Sequence, residues 1–187
     1  LYVCNDFDGL DRLWLNVGQG RFREAPALAL RKTSMFSMGI DFADINRDGL
    51  DDFLVVDMLN TNHRTRKNQM IPRVQYQPVP GKYNDRPQTM RNTMFLNRGF
   101  GLFSEIANYS GVAASDWSWC PIFMDVDLDG LEDVLITNGV ERNARHLDTI
   151  IKLKRQRESK KMTNQEILLA RRVFPAQDTP NTAFRNL

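Results

Sequence analysis

Cysteine and histidine are scarce in this sequence, with two of each, and the net charge is only +2. Cys4 and Cys120 are too few for a disulfide framework, and neither stands in a Cys-x-x-Cys metal spacing. Both therefore read as small buried hydrophobes. His63 and His146 fall in long polar connections with no serine or cysteine motif beside them, which argues against a catalytic triad or a zinc site. No apolar run approaches the length needed to span a bilayer. A start methionine is missing too: the chain opens on Leu1-Tyr-Val-Cys-Asn, which reads as the middle of a strand, so the expectation is a fragment of a longer protein. What remains is an ordinary soluble composition and 187 residues, enough for one sizeable core or part of a larger domain.

What the chain does have is regularly spaced acid. In Asp125-Val-Asp-Leu-Asp-Gly-Leu-Glu-Asp133, carboxylates occupy positions one, three, five and nine, with glycine at six. Asp44-Ile-Asn-Arg-Asp-Gly-Leu-Asp-Asp52 repeats the pattern with Asn46 at position three. Oxygen ligands at one, three, five, seven (a backbone carbonyl) and nine suit a hard cation such as calcium, and glycine permits the sharp turn between them. A helical calcium hand needs a bidentate Glu at position twelve between two helices, whereas Val55 and Ile136 stand there inside short β-branched runs. Each loop is therefore expected to join two strands. The plain alternative, an acidic turn without a metal, would leave its carboxylates repelling one another. Modules of this kind generally need the high calcium found outside the cytoplasm.

A shift of 81 residues places Asp44 on Asp125 and carries Asn16 to Asn97, Gly18 to Gly99, Phe22 to Phe103 and Glu24 to Glu105. A third copy starts at Asn181-Thr-Ala-Phe-Arg-Asn186. One unit then runs strand, acidic loop, strand, connection, hairpin. Four short strands repeated in series predict propeller blades. The expected fold is all-β, a fragment of a calcium-binding β-propeller of roughly two and a half four-stranded blades, with a helical insertion. Its parts are 1–34, the end of one blade; 35–105, a complete blade with a polar insertion over 59–91; and 106–187, a second blade with a basic helical insertion over 141–180, truncated in its hairpin. The first insertion reads as irregular with at most a short helix. The second reads as two helices, with Thr163-Asn-Gln-Glu166 as a capping box and Pro175 as a stop.

Charge follows the same division. The two insertions hold seventeen Lys and Arg against six acids, and the rest of the chain eight against seventeen. The expectation is that basic flaps lie on acidic loops; a polyanion-binding surface is the sharper reading. Trp117 and Trp119 alternate with small residues and align with Phe36 and Met38, which favours core packing over a sugar-stacking platform. Asp6-Phe-Asp8-Gly9-Leu-Asp11 is acidic but wrongly spaced and reads as a turn into a hairpin.

The two loops resemble those of FG-GAP/VCBS repeats, the blades of integrin alpha-chain propellers and of many exported bacterial proteins. Asn5-Asp-Phe, Arg91-Asn-Thr, Asp116-Trp-Ser-Trp119, the Asp125 loop and Thr137-Asn-Gly139 are similar to the ASPIC/UnbV, or cartilage acidic protein-like, branch. The resemblance implies a propeller with calcium between the first two strands of each blade and a secreted, periplasmic or cell-surface setting. Carried over by position, the metal ligands are Asp44, Asn46, Asp48, the Leu50 carbonyl and Asp52, then Asp125, Asp127, Asp129, the Leu131 carbonyl and Asp133, two Ca2+ sites in all. Asn46 makes the first site the weaker. The function this implies is a non-catalytic, calcium-stabilised scaffold for ligand binding or adhesion, its partners an extracellular polysaccharide or protein and the remaining blades of the parent propeller. The alternative is a propeller-type polysaccharide lyase or other carbohydrate-active enzyme, with Arg, Lys, His and Tyr83 of the insertions as its resource. Nucleic acid is not an expected partner, because no aromatic-rich RNA-binding signature accompanies the basic residues.

Overall fold

The structure, a computed structural model, describes residues 1–7, 9–69, 81, 86–160 and 163–187. Strands outweigh helices and assemble into antiparallel sheets. The first sheet comprises β1 (Tyr2–Val3), β2 (Arg12–Asn16) and β3 (Phe22–Glu24) in that order. After β4 (Thr33–Ser34) come β5 (Gly39–Ala43) and β6 (Asp52–Val56), the short helix α1 (His63–Lys67), β7 (Gln88–Thr89), β8 (Thr93–Asn97) and β9 (Phe103–Glu105). Strands β5, β6, β8 and β9 form the central four-stranded antiparallel sheet, while β4 and β7 pair in parallel over two residues. The third sheet holds β10 (Ser118–Met124), β11 (Asp133–Asn138) and β12 (Thr182–Phe184), the last returning after helices α2 (Leu147–Ser159) and α3 (Asn164–Ala170).

The internal repeat is visible in the pairing. Phe53 lies opposite Phe95 in the central sheet, and Val134 lies opposite Phe184 in the third. Strand β6 shows why its sequence is apolar at every position from Phe53 to Val56. Phe53 and Val55 face a core shared with Tyr2, Leu13, Leu30 and Phe95, whereas Leu54 and Val56 face a second core with Met94, Val134 and Ile136. Alternate side chains point to opposite faces of a strand, so a strand between two cores needs an unbroken apolar run. Each of these four side chains contributes roughly 1.5–3 kcal/mol by burial. The Phe53 ring lies within 5.3 Å of the rings of Tyr2, Phe42, Phe95 and Phe103, which ties the first sheet to the central one.

Consecutive units also meet at their first strands. A Cβ on Gly39 would stand 2.5 Å from the Trp119 carbonyl oxygen, so only glycine lets β5 approach β10 this closely. The Phe123 N–H of β10 donates to Asp41 of β5 at 2.8 Å.

The insertions bear out the helix expectations where they are described. The Thr163–Glu166 capping box is formed, and the chain leaves helical geometry before Pro175. Tyr83, Asp8 and much of the proline-rich part of 59–91 lie outside the described residues.

Three expectations are corrected. Trp117 is buried, but Trp119 is 46% exposed and donates its indole N–H to the Gly139 carbonyl at 2.7 Å. The register shifts between Ser118 and Cys120, and this irregularity breaks the alternation that would have kept both rings on one face. For the same reason Cys120 is exposed rather than buried. Nor do the described parts of the basic insertions form ion pairs with the acidic loops. Their ion pairs include internal ones, Arg142–Glu141, Lys154–Glu158 and Lys160–Glu166, and others that reach Glu24 and Glu105 through Arg86 and Arg91, while Arg145 feels Asp57 and Asp6. The topology explains this: the loops join β5 to β6 and β10 to β11, and the insertions leave from the opposite ends of β6 and β11.

Candidate metal centre

The two acidic loops fold alike and share five hydrogen bonds to their first-, fifth- and ninth-position acids. In the first, Asp44 accepts the N–H of Asp48 at 3.0 Å and of Gly49 at 2.8 Å. In the second, Asp125 accepts from Asp129 at 3.1 Å and from Gly130 at 2.9 Å. The fifth-position acids cap the next turn: Asp48 accepts from Leu50 and Asp129 from Leu131, both at 2.9 Å. Positions four and six are left-handed in both loops, with φ of 57° at Arg47 and 82° at Gly49, and 59° at Leu128 and 89° at Gly130. Glycine takes this conformation at little cost, and the two acids use their side chains to hold the arginine and leucine in it.

The ninth-position acids behave differently from the rest. Asp52 is fully buried and bridges two elements, accepting the Ile45 N–H at 3.2 Å and the Asn97 N–H of β8 at 2.7 Å. Asp133 repeats this with Val126 at 3.3 Å and Asn186 at 2.9 Å. Burial lifts the Asp52 carboxyl above its ordinary range, the Asn97 and Ile45 N–H groups oppose that, and neighbouring Asp48 and Asp44 push upward again. Asn97 and Asn186 recur in the repeat, so their role at the loops follows from the same periodicity.

In the second loop the ligand atoms of Asp125, Asp127 and Asp129 all lie within 4.8 Å of one another. Oxygens bound to one calcium at 2.3–2.6 Å stand no more than about 5 Å apart, so the trio fits the ion. A cation of the protein's own already lies against it. The Arg185 guanidinium is 2.6 Å from Asp127 and 3.3 Å from Asp129. The Leu131 N–H and this guanidinium hold the Asp129 carboxyl below its usual range. Arg185 carries no signal in the loop motif itself; it directly precedes the repeating Asn186, and only the pairing of β12 with β11 brings it there. In the first loop no such acidic trio forms among the described residues. Asn46 donates its amide to Asp48 at 3.0 Å, so the residue that lowers the acid count also satisfies a neighbouring acid. The loops sit close together: Asn186 donates to the Ile45 carbonyl at 2.9 Å, and Arg47 lies beside Gly130.

Other candidates fall to structural roles. Asp11 is buried and accepts from Tyr2, Ser37 and the Asn5 N–H at 2.6–2.8 Å. Burial lifts its carboxyl in spite of the Ser37, Asn5 and Tyr2 bonds. Its counterpart Asn92 accepts the Asp57 N–H and donates to Ser115 and the Val112 carbonyl. Buried polar positions 11 and 92, 34 and 115, and 37 and 118 are all related by the 81-residue shift, a signal the loops had overshadowed. Burial pushes the Cys4 thiol up to about 12, which removes it as a nucleophile. His146 caps α2 by accepting the Thr149 N–H, and His63 begins α1.

Residues 1–55 match the family model described as an FG-GAP-like repeat. The matched stretch contains the first sheet, the Asp44 loop and most of β6; the Asp125 loop lies outside it and is tied to it by the internal repeat. No curated protein matches the chain, and no solved structure does. No helix among the described residues is long and apolar enough to cross a membrane.

Proposed function

We propose that this chain is a calcium-stabilised piece of a β-propeller that works outside the cytoplasm, secreted, periplasmic or on the cell surface, as a non-catalytic scaffold for ligand binding or adhesion. Repeats of the FG-GAP type occur in extracellular adhesion and binding propellers. The close approach of β5 to β10 supports a radial arrangement in which first strands line a common axis. The observation that carries the calcium reading is the convergence of Asp125, Asp127 and Asp129 within 4.8 Å in a loop whose hydrogen bonds recur in its twin. The second ion would be held by those three acids, the Leu131 carbonyl and Asp133. The first would be held more weakly by Asp44, Asn46, Asp48, the Leu50 carbonyl and Asp52. The role assigned to calcium is to neutralise the loop and pin two strands, with no chemistry performed at it.

The test is a melting curve of the intact protein in EDTA and in calcium. A site with Kd about 10⁻⁵ M in about 1 mM calcium adds roughly 2.7 kcal/mol, about 5–10 °C for a chain of this length. Asp129→Ala removes the larger share of that response. Melting indifferent to calcium in the parent protein would defeat the reading.

A further inference from the structure

The two acidic loops differ at position three, and the difference is made up from outside the second loop. In each, the fifth-position acid turns its Oδ1 to the backbone, Asp48 to the Leu50 N–H and Asp129 to the Leu131 N–H, both at 2.9 Å. That leaves Oδ2 for a side chain. In the first loop this oxygen accepts the Asn46 amide at 3.0 Å, a neutral donor from position three of the loop itself. In the second loop position three is Asp127, whose ionised carboxylate has no hydrogen to give. The donor comes from Arg185 instead. A single nitrogen, Nη2, lies 3.3 Å from Asp129 Oδ2 and 2.6 Å from Asp127 Oδ2.

The repeat gives this arginine its meaning. The Asn186 N–H donates to Asp133 Oδ1 as the Asn97 N–H donates to Asp52 Oδ1, at 2.9 and 2.7 Å. Phe184 pairs with Val134 as Phe95 pairs with Phe53. Arg185 therefore stands where the two preceding units have Leu96 and Leu15. Both leucines are half-buried, whereas the Arg185 side chain is 59% exposed. The acid that replaces an asparagine and the arginine that replaces a leucine thus occur in the same unit and meet there. The second ion position is faced by four acids and one cation, the first by three acids and an amide.

We propose that Arg185 is an internal competitor for calcium at the second loop and sets the affinity of that site. The inference rests on the calcium reading above. An ion that draws in Asp127 and Asp129 to about 2.3–2.6 Å needs the oxygens that Nη2 now holds. Two cations on shared oxygens repel, so calcium displaces the guanidinium. Asn186 stays bonded to Asp133 and to the Ile45 carbonyl, at 2.9 Å each, so the exchange needs a side-chain rotation and no shift of β12. Arg185 thereby offsets part of the advantage that the fourth acid gives the second site, and the two loops fill over a narrower range of calcium.

The experiment is calorimetric titration of calcium into the full chain and into Arg185→Leu and Arg185→Lys, each carrying Asp48→Asn to weaken the first site. Leucine is the residue of the two preceding units at this position, and it leaves the acids without a competitor. Exposed ion pairs are weak, so Arg185→Leu should bind calcium about three- to tenfold tighter than the protein with Arg185, while Arg185→Lys, which keeps the charge, stays within about twofold of it. By linkage, the rise in melting temperature between EDTA and saturating calcium is larger in Arg185→Leu by about 1–5 °C. Equal binding with Arg185 and with leucine, weaker binding with leucine, or the same tightening with lysine would each overturn the proposal and leave the calcium reading standing. Calcium binding absent from the parent and every variant would instead defeat the calcium reading, and this inference with it.

Discussion

Asp52 separates the architectural work of the acidic loop from ion binding. Its two oxygens each accept a backbone N–H, one from Ile45 within the loop and one from Asn97 on β8, at 3.2 and 2.7 Å in a fully buried setting. In Asp52→Asn only one oxygen remains, and one N–H is left facing an amide NH₂. Bonds to a charged acceptor contribute about 1.5–3 kcal/mol each, and a stranded buried donor costs a similar amount, so the substitution should cost about 2–3 kcal/mol. For a chain of this length that is a fall of about 5–10 °C in melting temperature. The measurement belongs in EDTA, where calcium plays no part, with hydrogen exchange at the Asn97 amide as the local readout. Asp48→Asn is the control: Asp48 is exposed, so its cost in EDTA stays within about 0.5 kcal/mol. In calcium both variants also lose a ligand, so both costs grow and Asp52→Asn remains the more damaging. An Asp52→Asn protein that melts within about 1 °C of the parent in EDTA, with Asn97 exchange unchanged, would refute the bridging role.

Other expectations follow from the same structure. Asn46→Asp restores the acid that the first loop lacks, and calorimetry should show tighter calcium binding there, by about tenfold. Phe53→Ala empties the point where four other rings converge and should cost about 3–5 kcal/mol in a denaturant melt. Glu105 is half-buried, which raises its carboxyl, but Arg91, the Ala107 N–H and Lys32 outweigh burial and leave it below its ordinary value of 4.5. A depressed carboxyl stabilises the fold above that ordinary value and loses the contribution as pH falls through the lower folded value. Arg91→Met should therefore cost about 3 kcal/mol at neutral pH, with the gap to the parent closing below pH 4.5 in a series of pH melts.

Most of the strands and both loops are legible without coordinates, and for a local reason. Oxygen-bearing side chains at positions one, three, five and nine, a glycine at the sixth and an apolar run after the ninth express geometry within a dozen residues, and the 81-residue shift doubles the signal. The Thr163 capping box is local in the same sense and forms as read. The expected burial of Trp119 and Cys120 failed because one register shift in β10 reverses which face a side chain occupies.

By itself, then, the sequence determined the repeating unit, the β-rich class and the spacing of acids able to surround a cation. The tertiary structure alone decided which groups meet across long separations. Arg185 reaches Asp129 from 56 residues away, and Asn97 reaches Asp52 across 45. Asn60 and Gln177 come together across 117 residues where the two insertions meet. Periodicity records what neighbours along the chain must do, and these contacts arise only when the sheets stack and the insertions fold over their ends.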